Sequence, residues 1–220
     1  MFNQTLFTLI ASIVFATSSA QPIIMPVVTS HTQHVLAVRE MPMNDRYPVQ
    51  VVSDVFRDNI LLTISYLSGA TKQGQPVDWN AVRKPFTYDL TLKPGEVFAF
   101  HDDVLSAYAG KKITTTHVHF GPGDGFVSDG YLYGDGVCHL ASVMNWAARD
   151  AGLQVESPTP HDFTNIPDVP KKYGTAIYSD GGKGMENELQ NLYITNNKDK
   201  PVHMVFTYKD NVLKVTVVEE

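Results

Sequence analysis

The chain has 220 residues, 43% of them apolar and 18% charged, with 17 basic and 23 acidic side chains and a formal charge of -6. That length supports one sizeable core, and an acidic balance with no Lys/Arg cluster excludes nucleic acid as a partner. The only cysteine, Cys138, cannot form an internal disulfide, so its thiol is either buried and inert or kept for reactivity.

Residues 1–20, "MFNQTLFTLIASIVFATSSA", carry no charged side chain, an apolar run from Leu6 to Ala16, and small residues at Ser18, Ser19 and Ala20. Although no Lys or Arg marks its start, this is the outline of a secretory signal peptide cleaved before Gln21. It predicts an exported protein, periplasmic, envelope-bound or extracellular. The run is shorter than the ~20 apolar residues a bilayer span needs, and no other segment is long enough, so no transmembrane segment is expected after cleavage. Residues 21–50, interrupted by Pro22, Pro26, Pro42 and Pro48, predict an irregular leader with one strand near Val35–Val38.

A single domain is expected over residues 51–220. Ser53 reads as the N-cap of an amphipathic helix with Phe56, Ile60, Ile64 and Leu67 on its apolar face and Gly69 as its terminator. "FTYDLTLKPGEVFAF" alternates as two strands around a Pro94-Gly95 turn, and Thr114–Phe120 is a third strand. Glycine then recurs at 121, 123, 125, 130, 134 and 136, which predicts loops. Leu140, Val143, Met144, Ala147, Ala148 and Ala151 form one stripe on a helix closed by Gly152. A proline-punctuated loop follows, and strands are expected at Asn191–Thr195, Val202–Tyr208 and Leu213–Val218. The fold class this predicts is α+β, two main helices packed on a largely antiparallel sheet.

Cys138 falls in the first turn of the second helix, after Gly136 and Val137, where the positive end of the helix dipole favours a thiolate. It reads equally as a small hydrophobic residue at a helix start. A nucleophilic thiol needs a base, and the candidates are His117, His119, His139 and His161. His139 is adjacent in sequence and points about 100° away on a helix. His161, in the loop after the helix, is the best-placed partner, with Asp162 or Asp168 to orient its ring. His117 and His119, two apart on the expected strand, would share a face and could ligate a metal, but such pairs are more often surface residues, and neither metal nor cofactor is expected. Tyr131, Tyr133, Trp146 and Phe163 could line a glycan or peptide groove or simply fill the core. Asp102, Asp103, Asp124, Asp129 and Asp135 could supply a glycosidase pair, though loop acids are ordinarily just solvated.

"LKPGEVFAF", "GDGVCHLASVMNWAARDAGL", a His-bearing loop and a closing β region together resemble the VanW family, a domain named from glycopeptide-resistance gene clusters and associated with bacterial cell envelopes. The resemblance runs from about Lys93 to Val217. It departs at His101 (Asn in the family pattern), Asp135 (Gly), His139 (Gln) and Gly174 (Asp). The order of a helix-start cysteine, a histidine and a β region also resembles the transglutaminase and papain-like layout, an analogy of architecture alone. These resemblances imply a cysteine-dependent hydrolase or acyl transferase acting on cell-wall peptide or amide linkages. Cys138 would attack, His161 would move the proton, and backbone N–H groups beside Gly136, Val137 and His139 would hold the oxyanion. The alternative is a non-catalytic envelope module that binds glycan or peptide through residues such as Tyr131 and Tyr133.

Overall fold

The computed structural model describes residues 34–181 and 187–220, so the expected signal peptide and the start of the leader lie outside the described residues. The fold is α+β, as expected, but the strands divide between two four-stranded sheets rather than forming one. In the first, β1 (His34–Pro42), β8 (Val212–Glu219), β7 (Val202–Lys209) and β2 (Phe86–Leu92) lie side by side in that order, all antiparallel. In the second the order is β4 (Ile113–Thr114), β3 (Val97–Ala99), β6 (Tyr193–Thr195) and β5 (Gln154–Glu156), with only the β3 and β4 pair parallel. Three α-helices occur among the described residues: α1 (Gln50–Leu67), α2 (Trp79–Val82) and α3 (Val137–Asp150).

The alternating pattern of the last two strands turns Met204, Phe206, Leu213, Val215 and Val217 inward. Against them α3 lays its expected stripe, and Leu140, Val143, Met144, Ala147, Ala148 and Ala151 are all buried. Each large side chain so buried contributes about 1.5–3 kcal/mol of transfer free energy. Helix α1 is more central than an amphipathic surface helix, because every residue from Asp58 to Ile64 is buried. It also begins earlier than expected, at Gln50 with Val49 as the cap. Ser53 is one turn inside, and its hydroxyl accepts from the Tyr47 N–H and donates to the Tyr47 carbonyl, pinning the chain that enters the helix.

The Pro94-Gly95 turn does not close a hairpin. β2 pairs with β7 and β3 pairs with β6, so two antiparallel paths leave one sheet together, bend, and continue in the other. Asn196, fully buried, holds that bend: its amide donates to the carbonyls of Leu92 and Lys200, each at 2.8 Å. The expected strand Thr114–Phe120 shortens to Ile113–Thr114, since His117 and Phe120 adopt left-handed backbone, which breaks any extended run. The leader is also more regular than expected, since β1 runs nine residues and is paired along β8.

Where the glycine loop reaches α3, Gly136 has φ +99° and a Cβ placed there would lie 2.6 Å from the Phe56 carbonyl oxygen of α1. The start of the cysteine helix is thus pressed on the α1 backbone. Replacing Gly136→Ala is expected to cost at least ~2 kcal/mol in urea unfolding, through combined strain and clash. Gly123→Ala, at a position with open space around it and no left-handed backbone, should stay within about 0.5 kcal/mol.

Candidate functional site

The first turn of α3 forms the floor of a cavity of about 400 Å³. Its walls come from four other places: Tyr47 and Phe56 beside and on α1, the loops around Phe120 and Tyr133, the loop carrying His161 and Phe163, and the stretch Ile177–Ser179. Four of its lining side chains, Leu132, Tyr133, Phe163 and Tyr178, are more than half exposed and make an apolar rim.

On the floor, the Cys138 sulfur is engaged by one residue of the opposite wall. Sγ accepts from the Ile177 N–H at 3.3 Å and donates toward the Ile177 carbonyl at 3.7 Å. No imidazole hydrogen-bonds it among the described residues. Burial pushes the thiol up to about 11, with Asp135 adding to the rise and the Ile177 N–H opposing it. That is on the order of 3 kcal/mol against ionisation, whereas a helix N-terminus returns typically about 0.3–1 kcal/mol. Desolvation wins, and the resting sulfur is a thiol.

The histidines divide sharply. His139, buried on α3, also lines the cavity, but both its nitrogens are engaged elsewhere: its Nδ1 lies 3.3 Å from the Arg46 guanidinium and its Nε2 3.4 Å from the Tyr47 hydroxyl. Since arginine only donates, Nδ1 carries the lone pair and Nε2–H donates to Tyr47. Burial, then Arg46 and His161, push its pKa down to about 3. His161 lines the same cavity as Cys138, 5% exposed, with its ring 4.0 Å from that of Phe163 and its Nδ1 enclosed without a hydrogen-bond partner among the described residues. Burial lowers its pKa as well.

Among the described residues no carboxylate orients His161. Asp162 is exposed and makes no hydrogen bond to the ring, and Asp168 instead faces Arg46 at 3.7 Å. At Gly174, where the family pattern has Asp, a Cβ would lie 2.7 Å from the His161 carbonyl oxygen, so the backbone leaves no room for a side chain there. Gly136, Val137 and Tyr133 line the cavity, whereas Tyr131, 91% exposed, stands outside it. Trp146 is far from a groove role, being stacked on Tyr173 with Arg39 over its other face. His117 and His119 do not share a strand face. His117 pairs with Asp102 and His119 with Ser179, and no cluster able to hold a metal occurs among the described residues.

Three features went unseen in the sequence. Arg46, its side chain 1% exposed, ties Pro42, Pro167 and His139 together from a region with no motif. Asn59 reaches across to the glycine loop, donating to the Val127 and Asp135 carbonyls and accepting from the Val127 N–H. Ser179 bonds both His119 and Asp103.

A family model described as "VanW like protein" matches residues 87–218. The chain belongs to the VanW-like family. Comparison with curated proteins and with solved structures returns no match. The VanW-like region starts within β2, so the cysteine helix, the histidine loop and Ile177–Ser179 lie inside it, while Arg46, Tyr47, Phe56 and Asn59 lie outside.

Asp135, which departs from the family pattern, supplies a pH test. Burial first and Asp129 second push its carboxyl up to about 6, and its Oδ2 is enclosed without a hydrogen-bond partner among the described residues. A carboxyl raised above its unfolded value favours the fold while protonated and loses that contribution as pH rises from ~4 through 6. Asp135→Asn is therefore expected to gain about 1–3 kcal/mol over the parent at pH 8 and little at pH 4, read from urea unfolding at both pH values.

Proposed function

We propose that this VanW-like chain is an exported cell-envelope protein whose cavity binds a cell-wall glycan or peptide. The observation that carries the reading is the apolar rim. Leu132, Tyr133, Phe163 and Tyr178 are exposed around a concavity of about 400 Å³, which falls within the range usual for ligand sites. Exposed aromatic rings gathered at one mouth offer flat faces for sugar rings or peptide side chains, and each would contribute about 0.5–1.5 kcal/mol on desolvation. Export rests on the charge-free, apolar first twenty residues. No helix among the described residues is long and apolar enough to cross a membrane.

A second reading, a cysteine-dependent hydrolase or acyl transferase, is favoured by Cys138 and His161 lining one cavity. It requires a thiolate, which the half-buried, hydrogen-bonded sulfur, its pKa raised by desolvation, disfavours. It also lacks, among the described residues, an orienting carboxylate for the histidine.

Two experiments separate these readings. In calorimetric titration with muropeptides released from purified sacculi, Tyr133→Ala and Phe163→Ala should each weaken binding about 5–10-fold, while Cys138→Ala should change it less than about 3-fold. Absence of binding by the parent protein to every glycan and peptide fragment would sink the proposal. In the second, alkylation of Cys138 by iodoacetamide at pH 8 should run on the order of a hundredfold slower than for an ordinary thiol and accelerate toward pH 10–11. Rapid alkylation at pH 7 that slows in His161→Ala would instead favour the acyl-transfer reading.

A further inference from the structure

On the wall that carries Ser179, three residues far apart in sequence form a directed hydrogen-bond chain. The Ser179 hydroxyl, 6% exposed, lies 2.7 Å from Asp103 Oδ2 and 2.9 Å from His119 Nδ1. The proton order follows from who can donate. His101 Nε2 lies 3.0 Å from the Gln190 carbonyl, to which it can only donate, and its Nδ1 lies 3.4 Å from the Asn191 amide nitrogen, from which it accepts. His101 Nδ1 therefore has no proton to give Asp103, although it lies only 3.6 Å from Oδ2. Ser179 must donate its single proton to the carboxylate, since the opposite orientation would leave two lone pairs facing each other at 2.7 Å. Its oxygen then accepts from His119, which fixes the proton of that imidazole on Nδ1.

His119 is held from its backbone too, because its N–H donates to Asp124 Oδ2 at 2.8 Å. Its Nε2 makes no hydrogen bond among the described residues, and the ring edge bearing it lies beside Gly181, where a Cβ would sit 3.6 Å away. Both His119 and Ser179 line the cavity over the cysteine helix.

We propose that Asp103 and Ser179 are positioning residues that lock His119 as its Nδ1–H tautomer, so that Nε2, on the ring edge beside Gly181, is left as a fixed lone pair on a residue of the cavity wall. His119 is then a specificity-determining acceptor, selecting ligands that offer an O–H or N–H at this wall, such as a sugar hydroxyl, an N-acetyl amide or a peptide N–H. Ligands with only carbonyl or carboxylate oxygen at that point are rejected. This deepens the binding reading above and depends on it for the ligand, but not for the tautomer.

Long-range 1H–15N correlation spectra of the uniformly labelled protein at pH 8 test the tautomer without any ligand. His119 should show a protonated Nδ1 and a bare Nε2 in the parent, a shift toward Nε2–H in Ser179→Ala, and retention of Nδ1–H in Asp103→Asn, whose amide oxygen still accepts from Ser179. A parent His119 found as Nε2–H, or a Ser179→Ala spectrum identical to the parent's, would overturn the proposal. Muropeptide titration then tests its use. His119→Ala should weaken binding about 10-fold, and Ser179→Ala about as much alone but less than 2-fold further when added to His119→Ala. Additive losses would overturn the positioning role. If the parent binds no muropeptide while the spectra come out as expected, the ligand assignment fails and the Asp103–Ser179–His119 chain stands.

Discussion

The side-chain amide of Asn59 is the contact on which the site depends. Wholly buried in α1, it donates to the carbonyls of Val127 and Asp135 and accepts from the Val127 N–H, so one side chain grips both ends of the rim-forming loop. A glycine-rich loop has much conformational entropy to lose and few side chains to hold it. Three bonds from a buried amide supply the anchoring that the loop lacks, because leaving any of those groups unpaired in the interior would cost about 1–3 kcal/mol. Gly136 follows directly and rests on the Phe56 carbonyl, so the loop, the cysteine helix and α1 are fixed relative to one another within a few residues.

Within that frame burial sets the chemistry. Cys138, His139, His161 and Asp135 are each pushed toward their neutral forms, and in every case desolvation is the largest cause. The helix dipole, the usual argument for a reactive cysteine at a helix start, is the smaller effect here. Arg46 is a charged group held deep beside the cavity, and it stays tolerable because carbonyls of Pro42 and Pro167, the His139 ring and Asp168 surround it. Under the proposed binding function, a cavity of this character would favour neutral, hydroxyl-rich or amide-rich ligands over ions.

Much of this was legible in the sequence and some was not, for reasons that differ residue by residue. The α3 stripe and the β7 and β8 alternation were readable because burial on one face imposes a period. Cys138 on a helix start followed from local pattern, whereas nothing in the pattern separated Tyr133, which lines the cavity, from Tyr131, which does not. The Pro94-Gly95 turn misled because alternation records which face is buried and says nothing of which strand is the neighbour; only the pairing to β6 and β7 shows the bend. Ser53 satisfied every local criterion for a cap and serves the preceding chain instead. Left-handed backbone at His117 and Phe120 has no marker in residues that are not glycine, so the strand and the shared histidine face it implied were lost together. Asn59, Arg46 and Ser179 act across long sequence separations, a relation that a single chain read in order does not display.

The boundary of the VanW-like match has a consequence for how this cavity can vary. The cysteine helix, the histidine loop and the His119 wall all belong to the matched region, whereas Tyr47, Phe56 and the clamp at Asn59 precede it. The cavity is thus built partly from the matched region and partly from a segment that precedes the match. Substitutions in that segment therefore bear on the floor as well as on the walls, because Phe56 and Asn59 hold the start of the cysteine helix and the loop that leads into it.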